Sequence, residues 1–326
     1  MLKSDSKVTI NTGNVLNLID IKKKAGQNVT EELSESIKLT LTEWTSQNGL
    51  PIQNGTKDEA QSSHKNSEYM VIQSGTKESE AVLYITRPHD DVHLKMAEEE
   101  RKNLKIGVKI FINEDSTTAL RECVENVFQA LQTDYIDNVT LAYNPDLPSA
   151  GTSTPGKPRI SPIIVGSAIV KPDSIKTDFD AENESDARKC EAILPGIKIL
   201  WEVLEDYVKN DRVCQLGVAD VGDGCLRKLH SWACVKPSIA QINLASCCVV
   251  PPSLHQFTRN NDVQLLTHAD PPDLLSQAAL KTLSHAGLSC SKLDWCARYQ
   301  VHIKCRGVLA LKGYVCKGTL RSRDKF

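Results

Sequence analysis

Short apolar strands alternating with amphipathic helices through the last two-thirds of the chain predict an α/β protein of the (β/α)8 TIM barrel class. Three observations carry this expectation. Residues 105–112 read as a strand, and Leu120, Val124, Val127 and Leu131 then recur at helical spacing. The same strand-then-helix unit repeats down the chain, and such repetition implies parallel strands joined by crossover helices. Seven or eight such units close most naturally into a barrel.

The first third gives one clear helix through Leu33, Ile37, Leu41 and Trp44, with Thr30 as its expected cap and Glu31 and Glu32 at the positive end of its dipole. Val71 with Ile72, and residues 81–86, are weaker strand candidates. After the helix at 120–131, residues 135–141 form the next strand. Ile193, Ile197, Leu200, Leu204 and Val208 mark another helix, and 213–218 another strand. A helix over 224–234, a strand over 239–244, a helix over 253–260 and a strand over 263–267 follow. Leu274, Leu275 and Ala278 begin one more helix behind Pro271, and a last strand is expected near 301–309. Residues 47–79 and 144–189 are rich in polar and small residues or in proline, so both read as flexible insertions in a single domain spanning 1–326.

Composition narrows the function classes. The 326 residues include 25% charged side chains with a formal charge of −2, which gives no electrostatic case for nucleic acid or a bulk membrane partner. No apolar run approaches the roughly 18 residues of a transmembrane helix, and the first residues carry no signal-peptide h-region. A cytoplasmic protein is expected. Its 11 cysteines include no C-x-x-C pair, so mostly free thiols are expected in place of a disulfide framework or zinc knuckle.

Catalytic patterns are sparse. His89 and His93 could share a helix face, but the intervening residues lack the glutamate of a zinc peptidase motif, and a solvated turn is the plainer reading. Gly222-Asp-Gly224 lacks the third glycine of a dinucleotide fingerprint. No Gly-x-Ser-x-Gly elbow occurs. Glu98, Glu99 and Glu100 are adjacent on the chain and do not converge on one point. No metal is expected, and no set of acids suits ATP-linked ligation.

The stretch 241–271, with its vicinal Cys247-Cys248, its Pro-Pro stop and its Thr267-His-Ala-Asp270, resembles the regulatory (modifier) subunits of glutamate–cysteine ligase. Thr12-Gly-Asn-Val-Leu-Asn17, Leu39-Thr-Leu-Thr-Glu-Trp44, Val108-Lys-Ile-Phe-Ile112 and Arg306-Gly-Val-Leu-Ala-Leu-Lys-Gly-Tyr314 extend the likeness from end to end. The two insertions are where the chain departs from it. That resemblance implies a non-catalytic subunit that binds the ligase catalytic chain as a heterodimer, improves its glutamate affinity and relieves glutathione feedback inhibition.

The family is in turn similar to aldo-keto reductases, barrels that use NADPH and an Asp, Tyr, Lys, His tetrad. Lys109 matches the reductase lysine. Ala142 stands where the histidine would be, 81–93 offers no matching Asp and Tyr, and Gly217-Val-Ala-Asp220 replaces the residues that hold the nicotinamide amide. A lone lysine lacks the tuned proton donor that carbonyl reduction needs. The expectation is therefore no catalysis and no cofactor, with a diverged NADPH-dependent aldo-keto reductase as the alternative and a barrel binding protein of unknown partner as a third reading.

Two features are candidates for contact with the partner. From Arg298 onward the chain carries Arg298, Lys304, Arg306, Lys312, Lys317, Arg321, Arg323 and Lys325 against the single acid Asp324, which is either a docking surface for an acidic face or a solvated tail. Cys247 and Cys248 point to opposite faces if they lie on a strand. The exposed one could then form an intersubunit disulfide, the alternative being two packed small residues.

Overall fold

A computed structural model describes residues 7–18, 28–48, 82–145, 173–243, 250–271 and 290–320, together with Leu274, Leu275, Leu280 and Ser284. Its strands are β1 (Lys7–Asn11), β2 (Val82–Thr86), β3 (Leu104–Ile112), β4 (Ile136–Tyr143), β5 (Val213–Ala219), β6 (Ile239–Asn243), β7 (Gln264–His268), β8 (Cys290–Ile303) and β9 (Val308–Leu320). Its helices are α1 (Val29–Asn48), α2 (Val92–Ala97), α3 (Thr117–Leu131), α4 (Asp173–Lys209), α5 (Asp223–Trp232) and α6 (Pro252–Asn260). The strands make one sheet in the order β2-β1-β9-β8-β3-β4-β5-β6-β7.

From β3 to β7 the sheet is the expected run of parallel strands, linked in turn by α3, α4, α5 and α6. The final strand is the difference. In place of one strand near 301–309, the chain forms a hairpin of β8 and β9, and that hairpin lies between β1 and β3. Its turn falls on Lys304 to Gly307, where Gly307 adopts φ 62° and its N–H donates to the Ile303 carbonyl at 2.8 Å. Such a left-handed position suits glycine. The period-two signal was present before the turn: Trp295, Ala297, Tyr299 and Val301 are buried in one cluster, while Cys296 lies in the other. Three successive antiparallel pairings reverse direction, so β1 and β2 run opposite to β3–β7. Among the described residues no pairing joins β2 to β7.

Two boundaries also shift. The cap of α1 is Asn28, two residues before the expected Thr30, and its side chain accepts from the Glu31 N–H at 2.9 Å. Helix α4 begins at Asp173, so the last part of the segment read as a 144–189 insertion is helical. The remainder of that segment from 146 to 172, residues 49–81, and Val71 with Ile72 lie outside the described residues, as does most of the helix expected behind Pro271.

Amphipathic helices cover one face of the sheet. Leu120, Val124 and Val127 of α3, Ile197, Leu200 and Trp201 of α4, and Leu226 and Leu229 of α5 pack with Ile106, Ile110, Val139 and Leu216. Each fully buried aliphatic side chain is worth about 1.5–3 kcal/mol relative to exposure. The opposite face gathers Val8, Ile10, Phe111, Ala142, Ala219 and Tyr314, with Leu33 and Ile37 of α1 against it. That second face is concave. Four strand spacings separate β3 from β7, roughly 19 Å on a flat sheet, yet Lys109 of β3 donates to Asp270, two residues past β7, at 2.8 Å. Only a curled sheet allows this contact.

Candidate functional site

The concave face holds a buried network built from five strands. Lys109 projects from β3 beside Phe111, since side chains two apart on a strand share a face. Arg298 of β8 is directly opposite Lys109 in the antiparallel register. Two like charges so placed repel. Asp270 resolves the conflict, accepting from Lys109 Nζ at 2.8 Å through Oδ2 and from the Arg298 fork at 2.5 Å and 3.0 Å through both oxygens. The Phe111 ring lies 5.4 Å from the lysine nitrogen and 5.7 Å from the guanidinium carbon. The Lys109 and Asp270 side chains are each 5% exposed and that of Arg298 is 12% exposed, so these are interior charges.

Residues at the carboxyl ends of the strands hold Asp270 in place. Asn243 at the end of β6 donates to the Asp270 backbone carbonyl at 2.6 Å. His268 at the end of β7 has Nε2 3.0 Å from Asp220, which follows β5 in a left-handed conformation. Its Nδ1 lies 3.1 Å from the Asp270 backbone nitrogen and 3.3 Å from Oδ2. A neutral ring therefore accepts from the amide, and a protonated ring can donate to the carboxylate. Beyond Arg298, the register-opposed Tyr314 of β9 donates to Glu32 of α1 at 2.5 Å, and Lys312 pairs with the same Glu32 oxygen at 2.6 Å.

These contacts set the protonation states. Burial alone would raise the Asp270 carboxyl, but hydrogen bonds from His268 and Arg298 and the charges of Arg298 and Lys109 outweigh it and hold it well below the usual carboxylate range. Burial works against a charged His268, yet the hydrogen bonds to Asp220 and Asp270 prevail and its pKa is raised. Burial lowers the pKa of the Lys109 amine, and Asp270 offsets only part of that. Chemically, the cluster is a satisfied ion-pair network in which the Lys109 amine already donates to a carboxylate held ionised.

Of the residues singled out in the sequence, Lys109 and Arg298 are brought together here, and Arg298 is an interior residue and not part of a surface. Lys304 pairs with Asp137 at 3.5 Å and Arg306 with Glu99 at 2.8 Å at the exposed β8–β9 turn. Lys317 pairs with Glu122, and Lys312 with Glu32 as above. Arg321, Arg323, Lys325, Cys247 and Cys248 lie outside the described residues. His89 and His93 are exposed, and among the described residues no group of three or more His, Cys, Asp or Glu could hold a metal ion. No described helix is long and apolar enough to cross a membrane.

Sequence reasoning gave no site role to Asp270, His268, Asn243 or Asp220, although the first three lie in the 241–271 stretch that carries the family resemblance. A usable signal existed, because each stands at or just past the carboxyl end of an expected parallel strand, where α/β barrels place their functional side chains.

No protein-family model matches the chain. It is 29% identical to the glutamate–cysteine ligase regulatory subunit of Mus musculus over 98% of this chain and 96% of that protein. Identity to the Homo sapiens subunit is 29%, over 96% of this chain and 92% of that protein. A putative regulatory subunit from Schizosaccharomyces pombe is 30% identical over 36% of this chain and 43% of its own length. Among solved structures, an aldose reductase from Giardia lamblia matches at 16% identity and a TM-score of 0.33, covering 53% of this chain and 48% of that one. One from Schistosoma japonicum matches at 14% and 0.34, covering 60% and 55%. The chain is thus similar over nearly its whole length to curated regulatory subunits of glutamate–cysteine ligase, the family its motifs resemble.

Proposed function

We propose that this chain is a non-catalytic regulatory subunit that binds the catalytic chain of glutamate–cysteine ligase, improves its glutamate affinity and relieves feedback inhibition by glutathione in the cytoplasm. The observation that carries this reading is the similarity to curated regulatory subunits across 98% of the chain. The chemistry of the concave face supports it. Carbonyl reduction requires a group that delivers a proton to the substrate oxygen, and here Lys109 spends its proton on Asp270 inside a closed ion-pair network. Regulation needs only a coupling free energy: tighter binding to the glutamate-competent state of the partner shifts its equilibrium, typically by about 1–3 kcal/mol.

Co-purification with the catalytic chain, followed by glutamate kinetics with and without this protein, tests the reading. A stable complex with a lowered glutamate KM is expected; absence of a complex at micromolar concentrations refutes it. The motif position of Lys109, which matches the reductase lysine, is the observation that favours the alternative, a diverged NADPH-dependent aldo-keto reductase. Saturable quenching in an NADPH fluorescence titration, with turnover of an aldehyde, would establish that alternative.

A further inference from the structure

The outer face of α4 and α5 carries a groove of about 500 Å³ lined by Leu194, Lys198, Arg227, Lys228, Ser231 and Trp232. Three of these six are cations and none is an acid. Arg227 is already engaged with Asp223 at 2.7 Å. Lys198 and Lys228 make no ion pair with a carboxylate among the described residues, and Lys198 places its ammonium 4.9 Å from the Trp232 ring centroid.

Trp232 is 37% exposed, and Ile199 on the neighbouring turn of α4 is 39% exposed. The reason lies in the helix period. Cys225, Leu226 and Leu229 form the buried stripe of α5, and Trp232 continues its spacing at the last residue of the helix, beside Leu194 and Lys198 of α4. The walls are fixed beneath it. Trp201 of α4 donates to the Val235 carbonyl at 2.9 Å, and the Val235 N–H donates to the buried Glu205 carboxylate at 3.0 Å, which ties the end of α5 to α4. A groove whose walls are tied together, with a half-exposed tryptophan and two lysines that have no carboxylate partner among the described residues, has the make-up of an interface hot spot, where tryptophan and preorganised walls contribute most.

We infer that this groove docks an acidic segment of the ligase catalytic chain, with two carboxylates meeting Lys198 and Lys228 and an apolar side chain lying on Trp232 and Leu194. The occupant follows from charge complementarity, because a lining of this sign would repel a basic segment and leave both lysines unpaired against a neutral one. The inference rests on the regulatory reading. It places docking on the helical face and not on the basic β8–β9 turn.

The test measures affinity of the full-length protein for the catalytic chain for the parent and for three variants: Lys198→Glu with Lys228→Glu, Trp232→Ala, and Lys304→Glu with Arg306→Glu. Lys228, Trp232, Lys304 and Arg306 are exposed and Lys198 is half-buried, and thermal melts confirm that each variant is folded. The first double reversal should weaken binding at least about tenfold and flatten its dependence on salt, since close interfacial charge pairs commonly couple by more than the equivalent of one decade. Trp232→Ala should weaken binding to a similar degree, and the turn variant should bind like the parent. If the parent binds but the groove variants are unchanged, the groove is overturned while the regulatory reading stands. Equal weakening by both charge reversals would mean bulk electrostatics and also overturns it. If the parent itself does not bind, both readings fall.

Discussion

Replacing Asp270 with asparagine should be among the most damaging single changes in this protein. The substitution keeps the shape and the backbone carbonyl that Asn243 grips, but removes the carboxylate on which Lys109 and Arg298 converge. Two interior cations then face each other in register on β3 and β8. Breaking a buried pair by removing one partner costs about 3–5 kcal/mol, because the remaining charge is left uncompensated. At about 2–4 °C per kcal/mol for a chain of this size class, the melting temperature should fall by roughly 6–20 °C. Urea titration followed by circular dichroism gives the same quantity at fixed temperature. Lys109→Met alone should cost less than Asp270→Asn, since the Arg298 fork to both Asp270 oxygens survives it. Combining Lys109→Met with Asp270→Asn should recover part of the loss by deleting one of the stranded charges. A fall of less than about 1 kcal/mol for Asp270→Asn, the range of exposed ion pairs, or no recovery in the double variant, would refute the interior ion-pair account.

Three further outcomes follow from the same contacts. Because the folded-state pKa of His268 is raised, its protonation stabilises the fold. That contribution is complete below its unfolded value of about 6.5 and is lost as pH rises through the folded one. His268→Gln should therefore cost more stability in mildly acidic than in alkaline buffer, and a cost independent of pH would contradict this. The Tyr299 hydroxyl is buried with no hydrogen-bond partner among the described residues, so Tyr299→Phe should be neutral or stabilising by up to about 1 kcal/mol in thermal melts. A Cβ at Gly313 would sit 2.2 Å from the Gly13 carbonyl oxygen and 2.2 Å from that same hydroxyl, so Gly313→Ala should destabilise by about 1–3 kcal/mol or more through overpacking, measurable by urea titration.

Much of the fold was legible because its elements are specified locally. Leu120, Val124, Val127 and Leu131 announce α3 by spacing alone, and all four are buried as that spacing requires. The β8–β9 hairpin was harder to read because both faces of its strands are buried, Trp295, Ala297, Tyr299 and Val301 on one and Cys296, Arg298 and Tyr314 on the other, so apolar and polar residues do not alternate cleanly along it. Arg298 illustrates the limit for the site. In a linear charge count it belongs with Lys304 and Arg306, and burial separates it from them only once β8 lies against β3.

What the sequence by itself determined, then, is the alternation of strands and helices, the parallel run from β3 to β7, the position of Lys109 on a strand and the resemblance to a regulatory family. Those features depend on periodicity and on residues close along the chain. The tertiary structure alone decided what Lys109 meets. Its partner is 161 residues away, on a segment that reaches it through the curl of a sheet, and no local pattern encodes how far a sheet curls or which side chains that curl brings together.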